Sequence, residues 1–119
     1  IIVVDAFTGD AIPAHLITED AFRIYERKLN PNGVIAVNVS NRHANLKRVL
    51  AGNIRLMNLS AANVRWRSPS VLGSYLSDWA IIARKAADLE RLGLAPGALL
   101  ESTAVYWNDD YAPLLPILR

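Results

Sequence analysis

A chain of 119 residues, 52% hydrophobic and 20% charged, has the size of one domain and the composition of an ordinary folded one. Its net charge of +2, with Lys and Arg scattered along the chain, excludes the clustered basic footprint of a nucleic-acid binder, even though the calculated pI is 9.2. Cysteine is absent, which rules out disulfides and thiolate metal sites, and no apolar run reaches the roughly 18 residues that span a bilayer. A cytoplasmic protein with no membrane contact by this chain is therefore expected.

The chain opens on Ile1-Ile2-Val3-Val4-Asp5, four apolar β-formers ending in a carboxylate. A loop broken by Gly9 and Pro13 follows and carries a second acid, Asp10. That pattern predicts a central parallel strand delivering an acid to a ligand crevice. No Met and no polar lead-in precede Ile1, and a central strand needs neighbours on both sides, so further sequence upstream is expected. Without it the first strand has an uncharged, apolar edge, and self-association through that edge is expected.

Thr18 is placed to cap a helix with Glu19 and Asp20 in its first turn, where carboxylates suit the positive end of the dipole. Phe22, Tyr25 and Leu29 recur at helical spacing, and Pro31-Asn32-Gly33 ends the element. Val34 to Ser40 is a second strand, apolar enough to be covered on both faces. Asn45 is the expected cap of a second helix, whose stripe of Leu46, Val49, Leu50, Asn53 and Met57 has one polar interruption.

Val64 and Trp66 alternate with Arg65 and Arg67 as a half-buried strand, and the Ser/Gly/Pro-rich stretch from Ser68 to Ser77 reads as a loop. Asp78 to Arg84 forms a buried strand, then a short helix runs from Ala87 to Leu92 and stops at Gly93. Ala95 to Tyr106 is ambiguous. Trp107 to Arg119 reads as a polar turn leading into a short terminal helix with Pro113 in its first turn.

Strand, helix, strand, helix, strand, strand is the order of the second half of a doubly wound α/β sheet, whose ligands bind beyond the carboxyl ends of the strands. Asp5, the Thr8 to Pro13 loop, Asn38, Ser40 and Asn41 are expected at that rim. His15 and His43 are isolated loop histidines and make no metal site. Asp109 and Asp110 are read as caps of the terminal helix with Tyr111 packed beside them, or else as a group closing over a cationic substrate. Tyr75 is a candidate pocket residue, and Trp66, Trp79 and Trp107 are read as packing residues. A phosphoacceptor site is a further reading, since a strand ending in Asp also opens such sites; Lys85 would then serve at a later strand end.

Three segments carry a resemblance: Ile1 to Thr18, Leu29 to Asn41 and Trp107 to Tyr111. Together they resemble the C-terminal half of bacterial spermidine-synthase-like proteins, over nearly the whole chain. The resemblance implies a Rossmann-like, methyltransferase-type sheet of seven strands, with this chain supplying the fourth strand onward. It also implies transfer of an aminopropyl group from decarboxylated S-adenosylmethionine to a diamine such as putrescine. A methyltransferase-type domain using S-adenosylmethionine, or a catalytically silent assembly domain, is the alternative on the same fold.

In the polyamine synthases the loop after this strand carries an Asp-x-x-Asp pair, the first member contacting ligand and the second acting in deprotonation. Asp5 matches the first position, Thr8 stands at the second, and Asp10 follows two residues later. Either Asp10 takes over in a rearranged loop, or the aminopropyl chemistry is altered or absent. The candidate contacts are Asp5 and Ala6 to the adenosyl ligand, and Asp5, Thr8, Asp10, Tyr75, Asp109, Asp110 and Tyr111 to the amine, with Asp5 and Asp10 as the catalytic candidates. The Gly-x-Gly turn of a nucleoside-binding half is absent from these 119 residues. The isolated chain should therefore be inactive, and calorimetry should detect no micromolar binding of an adenosyl ligand to it.

Overall fold

The structure, a computed structural model, describes residues 1–5, 14–40, 44–70, 73–97, 104–113 and 115–118. Strands β1 (Ile2–Val4) and β2 (Val34–Asn38) pair in parallel, with Ile2 opposite Ile35 and Val4 opposite Val37. Parallel neighbours require a crossover, and helix α1 (Glu19–Lys28) lies within it. The cap is the expected one: Thr18 has extended backbone angles and its hydroxyl accepts from the Ala21 N–H at 3.3 Å. At the other end, the Arg84 guanidinium donates to the carbonyls of Glu26, Leu29 and Asn30 and to Glu26 Oε1. One cation thus satisfies acceptors that a helix C-terminus leaves without intrahelical partners.

Helix α2 (Leu46–Met57) follows β2 and closes at Asn58, which takes the left-handed conformation at φ 54°. Asn45 occupies the position before the helix, yet its side chain makes no cap bond. Its backbone is committed instead, donating to the Ile117 carbonyl at 2.7 Å. The polar interruption at Asn53 is resolved by a buried bond, Nδ2 donating 2.8 Å to the Ile17 carbonyl, which ties α2 to the approach to α1.

The largest departure from expectation lies in the third and fourth strands. Strand β3 (Ser60–Ser70) and strand β4 (Gly73–Ala83) are 11 residues each and pair antiparallel from Ser60–Ala83 to Ser70–Gly73. Most of the expected loop from Ser68 to Ser77 is therefore strand. Its Ser, Gly and Pro content signals a turn, but a ladder of main-chain bonds propagates without regard to side-chain polarity. Pro69 is tolerated because β3 is an edge strand and can face its missing N–H outward.

Strand β4 also runs antiparallel to β2, so the sheet is mixed and ordered β1-β2-β4-β3. Helix α3 (Ala86–Glu90) is shorter than expected. Gly93, at φ 76°, turns the chain after it, with its N–H donating to the Glu90 carbonyl and that of Leu94 to Leu89. In place of the expected terminal helix there is a 3-10 turn at Leu115–Ile117.

Alternation divides the sheet residues between two faces. On one, Val4, Ile35, Val37, Ala61, Ala80 and Ile82 pack with Phe22 of α1 and Val49, Leu50 and Ile54 of α2. Trp107 completes this face: it is buried, its indole donates to the Pro113 carbonyl at 2.9 Å, and its own carbonyl accepts from the Glu19 N–H. On the other face a smaller cluster joins Val34, Ala62 and Ala83 to Leu89 of α3.

Gly52 is in the interior of α2 because the backbone of Val105 crosses it. A Cβ there would stand 2.2 Å from the Val105 carbonyl oxygen, whose residue is held by its N–H donating to the Arg48 carbonyl. Gly52→Ala should therefore lower stability by about 1–2 kcal/mol in urea unfolding, because overpacking against backbone outweighs the gain in helix propensity. A stabilised variant would show that the 104–107 segment does not lie against α2.

Candidate functional site

Because β1 and β2 are parallel, their carboxyl ends stand side by side; β2 ends in Asn38, and Asp5 immediately follows β1. The Nδ2 of Asn38 donates to Asp5 Oδ1 at 2.8 Å, across 33 residues of sequence, while its Oδ1 accepts from the Ser40 N–H at 2.9 Å. The two bonds fix the orientation of the amide, since only its nitrogen side can donate. Asp5 is exposed and Asn38 half-buried. Asn38 shares the sheet face of Val34 and Ala36, away from α1 and α2.

Behind this pair the end of β2 is held by β4. The Asp78 carbonyl accepts from the Val39 N–H at 2.8 Å, and the Ser40 hydroxyl accepts from the Asp78 N–H at 2.8 Å. The Asp78 side chain points to the opposite face, where Lys47 Nζ lies 2.9 Å from its carboxylate and Arg65 Nε 3.6 Å. Asn63 closes the group, its amide nitrogen donating to Asp78 and its oxygen accepting from Lys47. Sequence reasoning treated Asp78 only as the start of a strand. Its partners come from α2 and β3, and no local motif announces them.

The acidic turn near the C-terminus has a different place from the one expected. The Thr18 hydroxyl, itself buried, donates to Asp109 Oδ1 at 2.7 Å, and the Asp109 N–H donates to Asp20 Oδ2 at 2.8 Å. Asp109 thus sits at the start of α1 and does not cap a terminal helix. The physical reason is that α1 is a full helix whose positive end favours a carboxylate and whose capping Thr18 hydroxyl needs an acceptor, whereas the C-terminal element is a 3-10 turn of three residues. Asp110 is exposed, its N–H bonded to Asn108 Oδ1. Tyr111 is 65% exposed, so it does not pack. A crossover helix runs back against its strands, so the start of α1 lies at the same end of the sheet as Asp5, but on the helix-covered face.

Other candidates separate cleanly. Ala6, Thr8, Asp10, Asn41 and His43 lie outside the described residues, as does the side chain of Tyr75 on β4. His15 is exposed in a 3-10 turn, Ala14–Leu16. Lys85 follows Ala83, which pairs with Val34 at the start of β2, whereas Asp5 follows Val4, which pairs with Val37 near its end. Lys85 is therefore at the opposite end of the sheet from Asp5, which removes the phosphoacceptor arrangement. Trp107 packs as expected, Trp79 is half-buried, and Trp66 is 61% exposed. Burial raises the pKa of the Tyr25 hydroxyl, which stays protonated and donates to the Leu16 carbonyl at 2.8 Å.

A cavity of about 450 Å³ lies away from the rim, lined by Arg23, Glu26, Leu56, Met57, Asn58, Leu59 and Arg84. Its charges are already paired, Arg23 with Glu19 at 2.6 Å and Arg84 with Glu26 at 2.9 Å. The rim, not this cavity, presents an exposed carboxylate. Among the described residues no group of three or more His, Cys, Asp or Glu is arranged to hold a metal ion, and no helix is long and apolar enough to cross a membrane.

Comparison of the chain with family models, curated proteins and solved structures finds no match. The two acids of the C-terminal turn can be told apart by stability. Asp109→Ala should cost about 1 kcal/mol by urea unfolding, the usual value of a hydrogen bond whose loss leaves a buried hydroxyl, here that of Thr18, without its acceptor. Asp110→Ala should fall within about 0.5 kcal/mol of the wild type, as exposed substitutions do. Equal effects from the two would dismiss the structural role of Asp109.

Proposed function

We propose that these 119 residues form the second half of a spermidine-synthase-like, Rossmann-like transferase domain, whose parent transfers an aminopropyl group to a diamine. The single observation that carries this reading is the Asp5–Asn38 pair, a carboxylate held at 2.8 Å by an amide on the adjacent parallel strand end. The sheet supports it as well. Among the described residues it has four strands, the first leading directly into Asp5, which is the number that a segment supplying the fourth strand onward of a seven-stranded sheet would have.

The residues present fit the amine end of such a reaction and not the nucleoside end. A diamine arrives as a dication, and Asp5 offers it an acceptor whose orientation is set by Asn38. The Asn38 bond engages Oδ1, and the carboxylate has further lone pairs on both oxygens for an ammonium group. The adenosyl co-substrate would supply a propyl carbon activated by its sulfonium. For this chain the task is to align the amine and help it lose a proton, so that its lone pair can form the new C–N bond as the C–S bond breaks. The proton would pass to a carboxylate and then to solvent. Thr8 cannot perform that step as a base, so Asp10 is the candidate within the loop. The nucleoside itself would need a Gly-rich turn that these residues lack.

The test pairs binding with activity. Putrescine titrated to millimolar concentration into the isotope-labelled chain should shift the NMR signals of Asp5 and Asn38, and Asp5→Asn should abolish the shifts. In the full-length parent, Asp5→Asn should lower kcat/KM for aminopropyl transfer by at least ~100-fold, the usual scale for losing a positioned proton-transfer or alignment group. Unshifted signals together with undiminished transfer would dispose of the reading, and unchanged transfer by Asp10→Asn would remove Asp10 alone.

A further inference from the structure

We infer that Trp79 is a specificity-determining residue of the amine site, its indole forming the wall along which the methylene chain of a diamine lies while one ammonium rests on Asp5. This role rests on the reading of Asp5 as an ammonium acceptor and adds to it a selection for the length of the amine. Register places the residues in one row. Val4 pairs with Val37 and Asn38 with Trp79, so Asp5, Asn38 and Trp79 follow one another across β1, β2 and β4, and Val64 of β3 continues the row. Residues directly opposite in adjacent strands share a face. Trp79 is therefore on the face of Asn38, away from α1 and α2, whereas its neighbours Asp78 and Ala80 turn to the helices.

The direction of the indole is fixed. Its Nε1 donates to the Ser77 Oγ at 2.7 Å, so the ring leans along β4 towards the start of that strand. Strand β2 ends at Asn38, opposite Trp79, so the direction of Ser77 is outwards, past the carboxyl end of β2 and into the crevice. Trp79 is half-buried, and with its N–H satisfied the rest of the ring is an apolar surface. On the other side of Asn38 the Asp5 carboxylate is drawn towards β2 by its 2.8 Å bond to the amide. Carboxylate and indole thus flank Asn38, on strands about 10 Å apart. The site is made by the side of β1 that faces β2 and by β2 and β4, both internal to the sheet.

Charge decides which occupant this row accepts. Asp5, Asn38, Trp79 and Val64 include an acid and no base, and the next pair outward on the same face, Ser77 and Trp66, adds none. The nearby cations Lys47 and Arg65 are on the opposite face with Asp78. An anion would meet Asp5 with nothing in the row to offset it. An ammonium gains the carboxylate, and the face of an indole attracts cations as well as methylenes. A short amine would use Asp5 alone, because the indole begins beyond Asn38. A longer chain covers that gap and buries its methylenes against the ring. Affinity should therefore rise with the number of methylenes between the two nitrogens, by up to about fourfold for each one fully buried.

The test is an NMR titration of the isotope-labelled chain with trimethylenediamine and with hexamethylenediamine, each to millimolar concentration. Both should shift the signals of Asp5 and Asn38, and the longer amine should bind about 10-fold more tightly, as half-burial of its added methylenes gives. Only the longer amine should also shift the indole N–H of Trp79, with the buried indole of Trp107 as the unmoved reference. Trp79→Phe should keep the preference for the longer amine, whereas Trp79→Thr should erase it and leave the affinity for trimethylenediamine unchanged. Should Trp79→Thr not fold, the wild-type indole signal and the two wild-type affinities carry the test. A Trp79 indole unmoved by an amine that shifts Asp5 and Asn38, or equal affinities for the two amines, would overturn the role of Trp79 and leave Asp5 as an acceptor. Shifts at neither Asp5 nor Asn38 with either amine would remove the acceptor reading and this role with it.

Discussion

A strand that runs against its neighbour meets the end of that neighbour with its own earlier residues, and β4 makes use of this at its midpoint and again just past its end. Midway along it, the main chain of Asp78 receives the residues that follow β2, Val39 and Ser40, while the side chain of the same residue binds Lys47 at the start of α2. Just past its end, Arg84 gathers the carbonyls that terminate α1. Both helices of the larger core face are thus anchored to one antiparallel strand. A parallel strand in the same position would have carried its end to the other rim and left those helix termini without these partners. The order β1-β2-β4-β3 is therefore a condition for the packing of the helices as well as a description of the sheet.

The rim inherits its geometry from this arrangement. Asn38 can present its amide to Asp5 because its oxygen is occupied by the Ser40 N–H, and Ser40 is in turn fixed by Asp78. The polar groups therefore form a relay across three strands, each bond setting the orientation of the next. The carboxylate of Asp78, being on the other face with Lys47 and Asn63, supports this relay without competing for whatever meets Asp5.

Much of the first half was legible in the sequence, because its elements are local. Thr18 with two following acids marks the start of α1, and the unbroken apolar run from Val34 marks β2, covered on both faces as expected. The second half was less so. Ser68 to Ser77 has the composition of a loop, and nothing local to it reveals that its backbone continues a hairpin begun by Val64 and Trp66. Register is a property of two strands together, and the placement of β4 between β2 and β3 belongs to three. The same reason hid Asp78, whose partners lie in α2 and β3, and misassigned Asp109, whose hydroxyl donor is 91 residues away. Asn53 shows the converse: the anomaly in the apolar stripe was visible, but its partner at Ile17 was not.

The parallel pairing of β1 with β2 also has a consequence in time. Strands β3 and β4 are close neighbours in sequence, so their ladder can close with little loss of chain entropy, whereas Ile2 and Ile35 must find each other across a much longer stretch of chain. Loop-closure entropy puts the hairpin before the crossover. Strand β1, three residues long and at the margin of the sheet, then joins a surface that already exists. Asp5 is thus installed last, arriving at an amide already aimed to receive it, and on unfolding it is among the first groups to leave.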